Sequence, residues 1–81
     1  MLTSEQCRAA RALLDWSREQ LADSSKVAVR TIIDFERGAR APREVTMDAL
    51  QRALTEAGVT FLSDGEMIDG GPGVRLARRS E

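Results

Sequence analysis

Apolar and polar positions follow helical spacing through residues 1–58, then change to a strand-like pattern from Val59 onward. Thr3 with Gln6 three residues later has the spacing of a capping box: the hydroxyl accepts from the Gln6 N–H while the Gln6 side chain reaches back. A first helix is therefore predicted from Ser4 to Leu14, with Cys7, Leu14 and the alanines between them as its inward stripe. Arg8 and Asp15 fall on its wetter side. Ser17 and Gln20 repeat the box, so a short second helix should begin at Arg18 and turn Leu21 and Ala22 inward. The polar run Asp23 to Lys26 reads as a turn.

The next stretch, VAVRTIIDFERG, is rich in β-branched residues, yet its spacing favours a helix from Ala28 to Arg37. Ile32 and Phe35 point one way, Arg30 and Asp34 another, and Gly38 supplies a stop. Ala39 to Glu44 reads as a loop around Pro42. Thr46 is the expected cap of a fourth helix, in which Met47, Leu50, Ala53 and Leu54 form the apolar face before Gly58 ends it. VTFL at 59–62 and GVRL at 73–76 are strand-like, with Asp64-Gly65 and Gly70-Gly71 as turn signals between them. Ala77 to Glu81 is expected to fray. The expected fold is mainly α: four to five helices over residues 1–58, then a short C-terminal β-hairpin or β-arm over 59–81.

Composition narrows the function. The chain has 81 residues, 42% hydrophobic and 31% charged, the balance of a single soluble globular domain with a modest core. No apolar run approaches the length of a membrane span and the N-terminus lacks a signal-peptide pattern, so a cytoplasmic protein is expected. There is no histidine and only one cysteine, Cys7, which removes the usual zinc sets and histidine-based catalytic triads. Neither a cofactor nor a metal is expected, nor an enzyme. Cys7 reads as a small apolar side chain, and Trp16 as a packing residue between the first two helices. GGPG at 70–73 lacks the lysine and following helix of a phosphate loop.

The net charge of −1 conceals an uneven distribution. Lys26, Arg30, Arg37, Arg40 and Arg43 lie between residues 26 and 43, with Asp34 and Glu36 as the only acids there. That local field suits a nucleic-acid partner, although a merely solvated basic face has the same composition.

The string LLDWSREQLADSSKVAVRTIIDFERGARAP resembles the XRE/Cro-type helix-turn-helix of phage-repressor-like regulators, and TMDALQRALTEAGVTFL extends the resemblance, which runs over residues 7–62. It rests on Leu21-Ala22, Thr31-Ile32, Phe35-Glu36-Arg37-Gly38, and the basic loop from Arg40 to Pro42. The sequence departs from that family at Asp15 and Lys26, where glycine is frequent, and at Ala28, where a Ser or Thr usually caps the recognition helix. The first two departures imply turns strained by a positive φ, the third a weaker cap.

The resemblance implies a lambda-repressor-like fold whose third helix enters the major groove of double-stranded DNA. Ala28, Val29, Arg30, Ile33 and Asp34 are then the base-contacting candidates. Arg30 suits guanine, Val29 and Ile33 suit thymine methyls unless they pack inward, and Asp34 either accepts from cytosine or orients Arg30. Ser17, Arg18, Lys26, Arg37, Arg40 and Arg43 are the phosphate candidates, with a second, minor-groove role open to Arg43. Arg11 and Glu36 match positions that are paired in relatives. A transcriptional regulator acting as a homodimer on an operator, as repressor or activator, is the leading expectation. The alternative is an antitoxin or anti-activator with a protein partner. The tail is the expected dimerisation element, burying Val59, Phe61, Val74 and Leu76 against a second copy; the rival arrangement folds the hairpin back on helix 4 of its own chain.

Overall fold

A computed structural model describes residues 2–62 and 73–76, and four helices followed by a two-stranded hairpin make up its architecture. They are α1 (Ser4–Leu14), α2 (Arg18–Ser25), α3 (Val29–Glu36), α4 (Glu44–Glu56), β1 (Val59–Leu62) and β2 (Gly73–Leu76).

Both capping boxes form. Thr3 and Ser17 accept from the backbone of Gln6 and Gln20, whose side chains return the bond to the cap N–H groups. α1 and α2 end on residues in the left-handed region, Asp15 at φ 58° and Lys26 at φ 64°. Asp tolerates that conformation better than Lys, for which the Cβ clash costs about 1 kcal/mol or more. α2 extends through Asp23, Ser24 and Ser25, which were expected to be turn. Ser25 Oγ donates to the Leu21 carbonyl at 2.7 Å and accepts from the Val27 N–H at 3.2 Å, so a buried hydroxyl holds both the last turn and the exit from it.

α3 has no side-chain cap at Ala28, as its methyl group dictates, and the chain leaves it at Gly38, φ 74°. α4 starts at Glu44, two residues before the expected cap Thr46. Arg43 is extended and its carbonyl already accepts from the Met47 N–H at 3.0 Å; Glu44 sits in the first turn, where its charge complements the helix dipole.

Leu21, Ile32, Leu50 and Leu54 are fully buried together with Cys7 and Ala10, and Leu2 joins them from ahead of α1. Ala10 lies buried on the inner side of α1, which packs against α3 and the hairpin. Trp16 and Val27 pack against the rim of this core, one at each turn around α2.

β1 and β2 pair antiparallel with Val59 opposite Leu76 and Phe61 opposite Val74. The hairpin lies on its own chain, β1 against α4 and β2 against α1. Val59 is 2% exposed, and Phe61 and Val74 pack partly against the same core. Val59 therefore has no surface left for a second copy: α4 and α1 already provide the apolar cover that a marginal hairpin needs. The side chain of Leu76 lies outside the described part, as do the turn signals Asp64-Gly65 and Gly70-Gly71 and the segment Ala77 to Glu81.

Candidate nucleic-acid interface

Three residues, Lys26 to Ala28, separate α2 from α3, so the two short helices are held in a tight helix-turn-helix. Ile32 and Phe35 drive one face of α3 into the core, at 0% and 6% exposure. At about 100° per residue, positions 29, 30, 33 and 34 are thereby turned away from it. Ala28 and Arg30 are exposed, and Val29, Ile33 and Asp34 are half-buried along the flanks. All five candidate base readers belong to one uncovered side.

Lys26, Arg37, Arg40 and Arg43 are exposed, with Arg37 beside Asp34 and Arg40 sharing a hollow with Arg30 and Asp34. Ser17 is exposed at the start of α2, where its oxygen accepts from the Gln20 N–H and its proton remains available to an anion. The loop following α3 is tied to it by main-chain bonds, because the Asp34 carbonyl accepts from the N–H groups of Ala39 at 2.9 Å and Arg40 at 3.4 Å.

Beneath the face lies Glu36, with no exposed surface. Arg11 meets its carboxylate with two bonds, Nε to Oε2 at 2.7 Å and Nη2 to Oε1 at 2.8 Å, and sends Nη1 to the Trp16 carbonyl at 3.0 Å. This bidentate geometry offsets the desolvation of the buried carboxylate, and loss of either partner would leave the other unpaired. Arg18 Nε adds a bond to Oε1 at 3.0 Å, the Cys7 thiol donates to Oε2 at 3.1 Å, and Arg8 donates to the Glu36 carbonyl. One acid thus joins α1, α2 and α3.

Burial by itself pushes the Glu36 carboxyl up, but hydrogen bonds from Arg11, Cys7 and Arg18 outweigh it, and the group is held below the usual carboxylate range. For Cys7, burial first and its bond to Glu36 second raise the thiol far above its ordinary range, so the thiolate is suppressed. The Glu36 hydrogen bond chiefly strengthens the charge on Arg11.

The Arg11–Glu36 contact agrees with the pairing that the resemblance implied; the parts of Cys7, Arg8 and Arg18 in it were not foreseen. Cys7 and Arg11 are four apart and Arg8 and Arg11 three apart, which places all three along adjoining strips of α1, and that spacing is a readable signal. For Arg18 the sequence carries no equivalent, since its contact depends on how α2 crosses the end of α3. Its side chain is 41% exposed, with Nε engaged by the Glu36 carboxylate.

Asp34 Oδ1 stands 3.6 Å from Arg30 Nε and 3.7 Å from Arg37 Nε. Of the two readings left open for Asp34, these distances fit the one in which it orients Arg30.

Among the described residues, no group of three or more His, Cys, Asp or Glu side chains is placed to hold a metal ion, and no helix is long and apolar enough to cross a membrane. Residues 8–56, from within α1 through the end of α4, match a family model described as helix-turn-helix. A comparison with curated proteins finds no match. With more than half of its length matched, and with α2 and α3 arranged as described, the chain belongs to the XRE-type helix-turn-helix family of DNA-binding transcriptional regulators.

Proposed function

We propose that this chain is a sequence-specific transcriptional regulator that binds an operator in double-stranded DNA as a homodimer, with α3 in the major groove. The observation that carries the reading is the uncovered side of α3, where Arg30 stands 76% exposed between the half-buried apolar side chains of Val29 and Ile33. A guanidinium there suits the O6 and N7 acceptors of guanine, and the two β-branched side chains suit thymine methyls. Ala28 brings the main chain close to the bases, and Asp34 stands beside Arg30 as its counter-charge.

Lys26, Arg37, Arg40 and Arg43 act on the phosphates, with Ser17 and Arg18 at the start of α2. Such contacts are independent of sequence and set the register in which Arg30 reads. Operation on DNA places the protein in the cytoplasm or on the nucleoid.

One eight-residue helix spans too few base pairs to select an operator, which favours a two-fold dimer. With Val59 inside its own core, the surface for that contact is a main-chain edge of the two-stranded sheet, which pairs with no third strand among the described residues.

Selection of bound fragments from random duplex DNA tests the reading. The expected product is a symmetric site with half-sites about 34 Å apart, one helical turn. Failure to enrich any sequence would overturn it.

A further inference from the structure

We infer that Asp34 is a specificity-determining residue that acts through the arginines beside it, restraining their attraction for phosphate and so widening the gap between operator and random DNA. The inference rests on the DNA-binding reading above and deepens it.

Asp34 and Glu36 are the only acids between residues 26 and 43. Glu36 is fully buried and neutralised by Arg11 and Arg18. Asp34, with its side chain 25% exposed, therefore carries the one negative charge that this basic segment brings to the surface. Its Oδ1 faces guanidinium groups from one turn before and one turn after, Arg30 at 3.6 Å and Arg37 at 3.7 Å. It lies beside a hollow of about 160 Å³ lined by Arg30, Thr31, Asp34, Arg40 and Pro42.

Helix stability does not account for this arrangement. Both contacts exceed the hydrogen-bond range of about 3.2 Å, and Oδ1 is shielded from solvent while accepting no hydrogen bond. An acid placed C-terminal to its basic partner is also the weaker order for an i, i+4 pair. A desolvated acceptor without a donor is a cost to the fold, which is offset only by the two nearby cations.

Toward DNA the same geometry discriminates. Phosphates are met at every position on every sequence, and their attraction grows with the number of uncancelled cations, so a carboxylate under Arg30 and Arg37 weakens binding everywhere. The contact of Arg30 with a base edge depends instead on alignment. With Nε turned toward Asp34, the two terminal nitrogens are left as the fork that fits guanine. Asp34 thus subtracts from the common term and preserves the specific one.

The full chain, Asp34→Ala and Asp34→Glu would be titrated with the duplex enriched by selection and with a scrambled duplex of equal length, over a range of salt concentrations. Thermal melting of each variant would accompany the titrations. Asp34→Ala is expected to melt no lower than the wild type and to bind the scrambled duplex roughly tenfold tighter at low salt, with a log–log salt slope steeper by about one. Its operator-to-scrambled ratio falls, and Asp34→Glu restores both ratio and slope. An Asp34→Ala chain with unchanged ratio and slope, alongside a wild type that prefers the operator, would overturn the inference alone. A wild type without preference between the two duplexes would overturn the operator-binding reading as well.

Discussion

Arg18 Nε lies 3.0 Å from Glu36 Oε1, and this bond ties the first turn of α2 to the last turn of α3. Arg11 reaches the other side of the same carboxylate from α1. The relative placement of α2 and α3 is therefore set by a buried charge with several donors.

Glu36→Ala should cost about 3 to 5 kcal/mol of unfolding free energy, because it leaves Arg11, 17% exposed, without a counter-charge. Arg18→Ala should cost much less, since its guanidinium remains partly solvated. Urea unfolding of the two variants measures the difference; equal costs would mean that Glu36 is not organised around Arg11.

Acid should weaken the fold through the same group. The folded-state pKa of Glu36 is lowered, so its contribution is fully present above the unfolded carboxyl value of about 4.3 and is lost as pH falls through the folded value. Unfolding midpoints should be flat near neutral pH and fall in acid, with a shallower fall in Glu36→Gln. An identical acid limb in that variant would assign the effect to other carboxylates.

Cys7 should resist alkylation in the folded chain at mildly alkaline pH and react at an ordinary rate once denaturant is added. Burial removes access, and the raised pKa removes the thiolate. Mass spectrometry after iodoacetamide treatment measures this; rapid labelling without denaturant would show that α1 opens locally.

On DNA, Arg30→Ala should lose about 1–3 kcal/mol of operator binding and relax preference at one base pair, the magnitude of one bidentate base contact. Arg18→Ala should weaken all sequences alike and flatten the salt dependence, with a small loss of stability from its Glu36 bond. Selected-site logos and salt titrations separate the two roles. A uniform loss in Arg30→Ala would make Arg30 a phosphate contact.

Val59→Ala should destabilise the chain by about 2 kcal/mol irrespective of protein concentration, as removal of buried methyl groups from a monomer core does. Thermal melts over a range of concentrations test this. A loss that vanished at high concentration would return Val59 to an interface between copies.

Much of this protein was legible in local spacing. Thr3 with Gln6 and Ser17 with Gln20 specify two helix starts, because a capping box involves only residues within one turn. Ile32 and Phe35 specify the inward face of α3 by periodicity alone, and with it the side left to Arg30, Val29 and Ile33. Gly38 and Gly58 mark ends that need a positive φ. The Arg11–Glu36 pair came from family resemblance, since residues 25 apart carry no local sign of contact. What tertiary structure decided depends on how the elements close over one another. Ser25 stays helical because its hydroxyl is buried with a partner, and Arg43 rather than Thr46 opens α4. Val59 turns inward because α4 and α1 meet to cover it, and Arg18 is shared between Glu36 and solvent because of where α2 crosses α3. The physical division is one of range: caps and periodicity act within a few residues, whereas desolvation of a carboxylate or a valine is decided by every element that closes over it.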